Sequence, residues 1–280
     1  MSHEISGYSV ALKLAKEHYE NFPVVSFFVP KELRKDVAII YWFARTTDDI
    51  ADEGNSTPEE RLEALDGFEA RLRGTLSSQF TDSLDEALYR TITSRRLDES
   101  LFFDLLSAFR QDITVKRYDD FNAILDYCRR SANPVGRLIL QLNGYYDTGR
   151  ALLSDKICTS LQLINFYQDL KIDFLRNRLY IPMEEINSFG LDERLMTFGE
   201  SDHLLNDLVK MQVERAVDLM EEGKPLAGML KGKLKVQIAA TCEGGLAIAK
   251  KIKDSGYTSY LKRPGLGKFD YFNLFIKSIF

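Results

Sequence analysis

The 280-residue chain has little cysteine and little histidine. Its three cysteines, Cys128, Cys158 and Cys242, are scattered, odd in number and free of CxxC spacing. That excludes a disulfide scaffold and predicts reduced thiols in the cytoplasm. The three histidines, His3, His18 and His203, are too dispersed for a nitrogen-rich metal site, which counts against zinc. No apolar run, including the one over 24–29, nears the roughly 20 residues that a membrane span needs, and residues 1–8 lack the basic-then-apolar order of a signal peptide. A cytoplasmic protein is expected, soluble or peripheral on the inner membrane face. With a net charge of -5 and no dominant basic block, nucleic acid is excluded as a partner. Also missing are an EF-hand loop, a GxxxxGK[ST] phosphate loop and a GxGxxG fingerprint. Gly265-Leu266-Gly267-Lys268 follows no strand and reads as a turn.

What is present is a core: 45% of the residues are hydrophobic, enough for one large domain over 1–280. The period is helical. Val37, Tyr41, Ala44 and Asp48 trace one face, and Leu161, Ile164 and Gln168 adjoin a second face of Gln162, Asn165 and Asp169, with no competing strand alternation. Thr57-Pro58-Glu59-Glu60 has the form of a capping box with proline in the first turn, and predicts a helix through about Leu72. Further breaks are predicted at Thr81-Asp82, Asp98, Asn133-Pro134, Asp147-Thr148-Gly149, 187–190 and 223–225. The fold class is all-α.

Two segments carry the chemistry: Asp48-Asp49-Ile50-Ala51-Asp52-Glu53 and Asn165-Phe166-Tyr167-Gln168-Asp169-Leu170-Lys171-Ile172-Asp173. Each holds aspartates at i, i+4, which a helix places on one face one turn apart. Facing each other, two such pairs would present hard oxygen ligands suited to Mg²⁺ and a substrate diphosphate, with Ca²⁺ also admitted by ligand type. A lone pair of this kind is more often the solvated end of a core helix. Acids at a helix C-terminus oppose the macrodipole, however, and the second segment adds Gln162 and Asn165 to the stripe with no basic residue in its first turns. Lys171, Arg176 and Arg178 follow, placed to neutralise phosphate oxygens. A departing diphosphate leaves a carbocation, which needs an apolar, aromatic cavity; 18 Phe and 13 Tyr are consistent with one, as they are with ordinary core.

These residues resemble the squalene/phytoene synthase family, through His18-Tyr19-Glu20-Asn21-Phe22, the stretch 41–53, Tyr127-Cys128 through Val135-Gly136, the stretch 162–180, and Ser255-Gly256-Tyr257. The resemblance implies a single-domain isoprenoid synthase bundle whose central cavity is flanked by the two aspartate-rich helices. It implies Mg²⁺ on Asp48, Asp52, Asn165, Asp169 and Asp173, and prenyl diphosphate contacts from His18, Tyr19, Glu20, Asn21, Tyr41, Arg45, Gln162, Gln168, Arg178 and Tyr257. Tyr127 matches a tyrosine beside the reacting carbons, a proton relay; without the family it reads equally as core.

Gln168 stands where many members carry arginine, and Arg129-Arg130-Ser131-Ala132-Asn133-Pro134 departs from the common pattern after Tyr127-Cys128. Together with Glu20-Asn21-Phe22-Pro23, these departures resemble the bacterial hydroxysqualene synthase branch of hopanoid and squalene biosynthesis. The implied reaction ionises presqualene diphosphate and captures the rearranged cation with water, so no NADPH is expected. Arg129, Asn133 and Arg137 either shape and hydrate the pocket or form a solvated helix end. Competing readings are a synthase that condenses two farnesyl diphosphates into presqualene diphosphate, a reductive squalene or phytoene-type synthase, and a scaffold that has lost catalysis, against which the retained aspartates argue. The C-terminal aromatic and basic stretch 260–277 reads more readily as a helix packed on the core than as a bilayer-docking element. Upstream and downstream enzymes of the pathway are the implied protein partners.

Overall fold

Asp82, Asp120, Asp147 and Asp202 each accept hydrogen bonds from backbone N–H groups two or three residues on, and each starts a helix. Short side-chain acceptors at that place satisfy donors that the helix itself leaves unpaired. The computed structural model describes residues 6–18, 29–196 and 198–267. Their helices are α1 (Gly7–His18), α2 (Arg34–Asp52), α3 (Pro58–Leu76), α4 (Ser83–Arg95), α5 (Ser100–Thr114), α6 (Phe121–Ser131), α7 (Asn133–Leu142), α8 (Thr148–Gln168), α9 (Leu170–Leu175), α10 (Met183–Ser188), α11 (His203–Gly223), α12 (Pro225–Gly228) and α13 (Gly232–Asp254). No strand occurs among the described residues, so the fold is all-α.

The predicted capping box is formed: Thr57 Oγ1 accepts from Glu60 N at 3.3 Å, and Glu60 Oε2 accepts from Thr57 N at 2.8 Å. The helix it starts runs one turn past Leu72, because Leu72 and Thr75 both lie buried and the chain reverses only at Ser78, with φ 63°. The predicted breaks at Asp82, Asn133, Asp147 and Pro225 likewise fall at helix starts.

The chain divides into two compact units, residues 1–114 with 137–146, and residues 115–136 with 147–280; the division falls within α7. In the first unit α1 packs on α2 and α4, and α5 on α2 and α3. Its core contains Phe43, edge-on to Phe102 at 5.1 Å, and Phe68 beside both Trp42 and Phe43. In the second unit α8 is the axial helix, contacted by α6, α11 and α13. There Gly136 permits close approach: a Cβ in its place would lie 2.3 Å from Ser154 Oγ and 2.6 Å from Cys158 Sγ.

Candidate active site

In the first unit, α2 is fixed by Ile39 and Phe43, both fully buried. Two helix turns carry Tyr41, Arg45 and Asp48 along one half-buried face, and Asp52 ends the helix exposed. Arg45 lies 3.4 Å from Asp48, 2.6 Å from Asp49 and 2.5 Å from Glu53. Burial works against the Arg45 cation, but Asp49, Asp48 and Glu53 outweigh it and raise its pKa. The Tyr41 hydroxyl is raised too, first by burial. Arg61 donates to the carbonyls of Ile50 and Gly54 at 3.3 and 2.9 Å, setting positive charge at the acid-rich helix end.

The second motif lies in the other unit and is not one continuous helix. α8 ends at Gln168, Asp169 adopts φ -101° and ψ 11°, and α9 begins at Leu170. Asp173 N still donates to Asp169 O at 2.9 Å, so the four-residue register persists across the break. Gln162 is half-buried, Asn165 exposed, and Asp169 and Asp173 half-buried. The helix behind them is held by polar contacts: Tyr167 donates to Gln212 Oε1 at 2.9 Å, and Arg215 pairs with Glu185 at 2.8 Å while donating to Gln212 Oε1 at 2.7 Å.

Beside this motif is a buried aromatic cluster. Tyr127 is 4% exposed and lies 5.8 Å from Tyr118, 5.8 Å from Tyr180 and 6.1 Å from Phe166, ring to ring. Phe166 stacks on Tyr180 at 3.7 Å and 3°. Paired segments deliver these rings: Leu179 N donates to Lys116 O at 3.0 Å and Met183 N to Tyr118 O at 2.8 Å. Tyr118 and Tyr180 escaped sequence reasoning because both sit in aperiodic connections. No helical or strand pattern marks that pairing.

Gln168 is buried and donates to Pro264 O at 2.7 Å. Arg178 is half-buried, and its N–H closes a turn on Asp173 O. Tyr257, at φ 62°, donates to Glu214 at 3.5 Å; burial and then Glu214 raise its pKa. Asn133 is neither solvated nor at a loose helix end, since it is buried with Oδ1 accepting from Thr159 at 3.0 Å. Arg129 instead pairs with exposed Asp126. The His18 side chain, with Tyr19, Glu20, Asn21 and the stretch 268–277, lies outside the described residues. Arg263, forked on Asp169 from 94 residues away, was not anticipated; only its place in a basic pair with Lys262 hinted at it.

Among the described residues no three His, Cys, Asp or Glu side chains are grouped closely enough to hold a metal ion. Within each motif the donors are hard oxygens only, a chemistry that fits Mg²⁺ and excludes a thiolate or imidazole centre. Among the described residues an all-helical architecture, acid pairs near helix ends and a buried aromatic cluster fit the class of helical isoprenoid synthases. A family model for squalene/phytoene synthase matches residues 15–270. The hydroxysqualene synthase of Zymomonas mobilis is 38% identical over 188 residues, a match covering 65% of this chain and 61% of that enzyme. That of Rhodopseudomonas palustris is 35% identical over 224 residues, covering 79% and 75%. The crystal structure of squalene synthase HpnC from Alicyclobacillus acidocaldarius aligns with a TM-score of 0.84 at 36% identity, over 90% of this chain and 94% of that one. The chain belongs to the squalene/phytoene synthase family, whose members act on prenyl diphosphates and generally use a divalent metal. Among the described residues no helix is long and apolar enough to cross a membrane.

Proposed function

We propose that the chain is a hydroxysqualene synthase, converting presqualene diphosphate and water into hydroxysqualene and diphosphate. One observation carries the chemistry: Asn165 shares a helix with Phe166, Asp169 directly follows that helix, and Phe166 stacks on Tyr180 beside buried Tyr127, so hard oxygen donors and buried aromatic surface are contiguous. The choice of water over hydride as the quench is supported by the likeness to hydroxysqualene synthases.

In this reading Asp48 and Asp52 of the first motif, and Asn165, Asp169 and Asp173 of the second, would hold Mg²⁺, which would supply positive charge to the leaving diphosphate. Tyr41, Arg45, Gln162, Gln168, Arg178 and Tyr257, with residues 18–21, bind and orient the diphosphate. When the carbon–oxygen bond breaks, the cyclopropylcarbinyl cation rearranges against aromatic faces that exclude water from all but the final carbon. Water adds there and gives up one proton, and the Tyr127 hydroxyl relays a proton between the reacting carbons and the diphosphate. An oily product also favours a cytoplasmic enzyme with peripheral contact at the inner membrane face.

The test is incubation of the purified protein with Mg²⁺ and presqualene diphosphate, with and without NADPH. Hydroxysqualene should form in both arms. Conversion of farnesyl diphosphate alone into presqualene diphosphate, or squalene only when NADPH is added, overturns the assignment in favour of the condensing or reductive members.

A further inference from the structure

Asp169 is already occupied by a cation from this chain. Arg263 Nε donates to Asp169 Oδ1 and Nη2 donates to Oδ2 at 3.1 Å, a two-pronged pairing that engages both carboxylate oxygens. Arg263 is 51% exposed and Asp169 27%, so solvent reaches the pair.

The contact is not that of a wandering surface arginine, because the strand of chain bearing it is tied down on both sides. Before it, Ser259 Oγ donates to Tyr167 O at 2.6 Å, and the fully buried Tyr260 donates to Asn206 Oδ1 at 2.6 Å while accepting from Asp202 N at 3.0 Å. After it, Pro264 O accepts from Gln168 Nε2 at 2.7 Å. Tyr167 and Gln168 immediately precede Asp169. The strap is thus fastened to the two residues beside the acid, and none of these fastenings uses the Asp169 carboxylate, so the ion pair can open while the strap stays docked.

A guanidinium forked on both carboxylate oxygens takes a lone pair of each and sets a positive charge beside them, so it competes with a divalent ion for the same acid. We infer that Arg263 is a displaceable counter-ion for Asp169, which holds that acid when no metal is bound and competes with an incoming divalent cation for it. This rests on the reading of Asp169 as a metal ligand. Arg263 then lowers the metal affinity of the second motif through two bonds that must break and through repulsion between like charges. An exposed pair of this kind shifts affinity modestly, by about threefold to tenfold.

Chelator-stripped wild type, Arg263→Gln, Arg263→Lys, Asp169→Asn and the Arg263→Gln/Asp169→Asn double variant are titrated with Mn²⁺, following the free-ion signal by electron paramagnetic resonance. Arg263→Gln should bind Mn²⁺ about threefold to tenfold more tightly than wild type, Arg263→Lys should fall between them, and the gain should vanish in the Asp169→Asn background. Unchanged or weaker binding in Arg263→Gln overturns the counter-ion role and leaves the metal reading standing. Failure of wild type to bind Mn²⁺ even with inorganic diphosphate present overturns both.

Discussion

The two aspartate motifs hold their charge in opposite ways. In the first unit the counter-ion to Asp48 and Asp49 is Arg45, three and four residues back on the same helix. In the second, Asp169 is met by Arg263 from 94 residues downstream. The residues just before each acid repeat the contrast: Thr47 bonds back to Phe43 O and Ala44 O within its own helix, whereas Tyr167 and Gln168 reach Gln212 and Pro264. The first motif therefore has a counter-ion on its own helix, whereas Asp169 in the second is paired with a residue distant in sequence. A helix sets its own i, i+3 and i, i+4 neighbours once it forms. It sets no others.

The largest test strikes both motifs at once. Asp48→Asn and Asp169→Asn should each lower turnover of presqualene diphosphate by about 10²–10³. Arg263→Gln should still alter Mn²⁺ binding in the Asp48→Asn background but not in the Asp169→Asn background, since only Asp169 is met by that distant arginine. An equal effect in the two backgrounds would erase the contrast.

Next comes a cap that combines both kinds of partner. Asp82 accepts from Leu84 N and Asp85 N and pairs with Arg71 at 2.7 Å, so Asp82→Ala should cost about 1 kcal/mol in urea denaturation at pH 7. Burial alone would raise the Asp82 pKa, but the Asp85 and Leu84 amides and Arg71 pull it below the ordinary carboxylate range. A depressed folded-state pKa means the stabilisation is present above the unfolded value of about 3.9 and is lost as pH falls through the lower folded value. The gap between wild type and Asp82→Ala should accordingly close below about pH 4.

A comparable loss of about 1 kcal/mol is expected for Tyr167→Phe, which removes a buried donor from Gln212. The smallest effect belongs to Thr47→Val, within about 0.5 kcal/mol, because carbonyls already serving the helix ladder lose only a secondary partner. If Thr47→Val proved the costlier of the two, the contrast between local and distant hydrogen-bond partners would fail.

Much of the fold was legible because its signals are local. The Thr57 capping box, the Asp82 and Asp147 caps and the Asn133-Pro134 break each depend on residues within one turn, and each falls at a helix start. The all-α class followed from the 3.6-residue period. The interruption at Asp169 was not legible, since an unbroken polar stripe from Gln162 to Asp173 carries no glycine or proline to announce it. Nor was the burial of Asn133, whose charged neighbours suggested a solvated end, whereas its Oδ1 accepts from Thr159, 26 residues on, inside the fold.

By itself the sequence determined the helices, the two acid pairs with their oxygen-only donors, and the likeness to squalene/phytoene synthases. These depend on residue type and on spacings of three or four, which a helix converts directly into neighbours. Tertiary structure alone decided the clustering of Tyr118, Tyr127, Phe166 and Tyr180, and the placing of Arg263 on Asp169. Those groups are far apart along the chain, so their meeting is fixed by burial and packing of whole segments, for which local spacing carries no information.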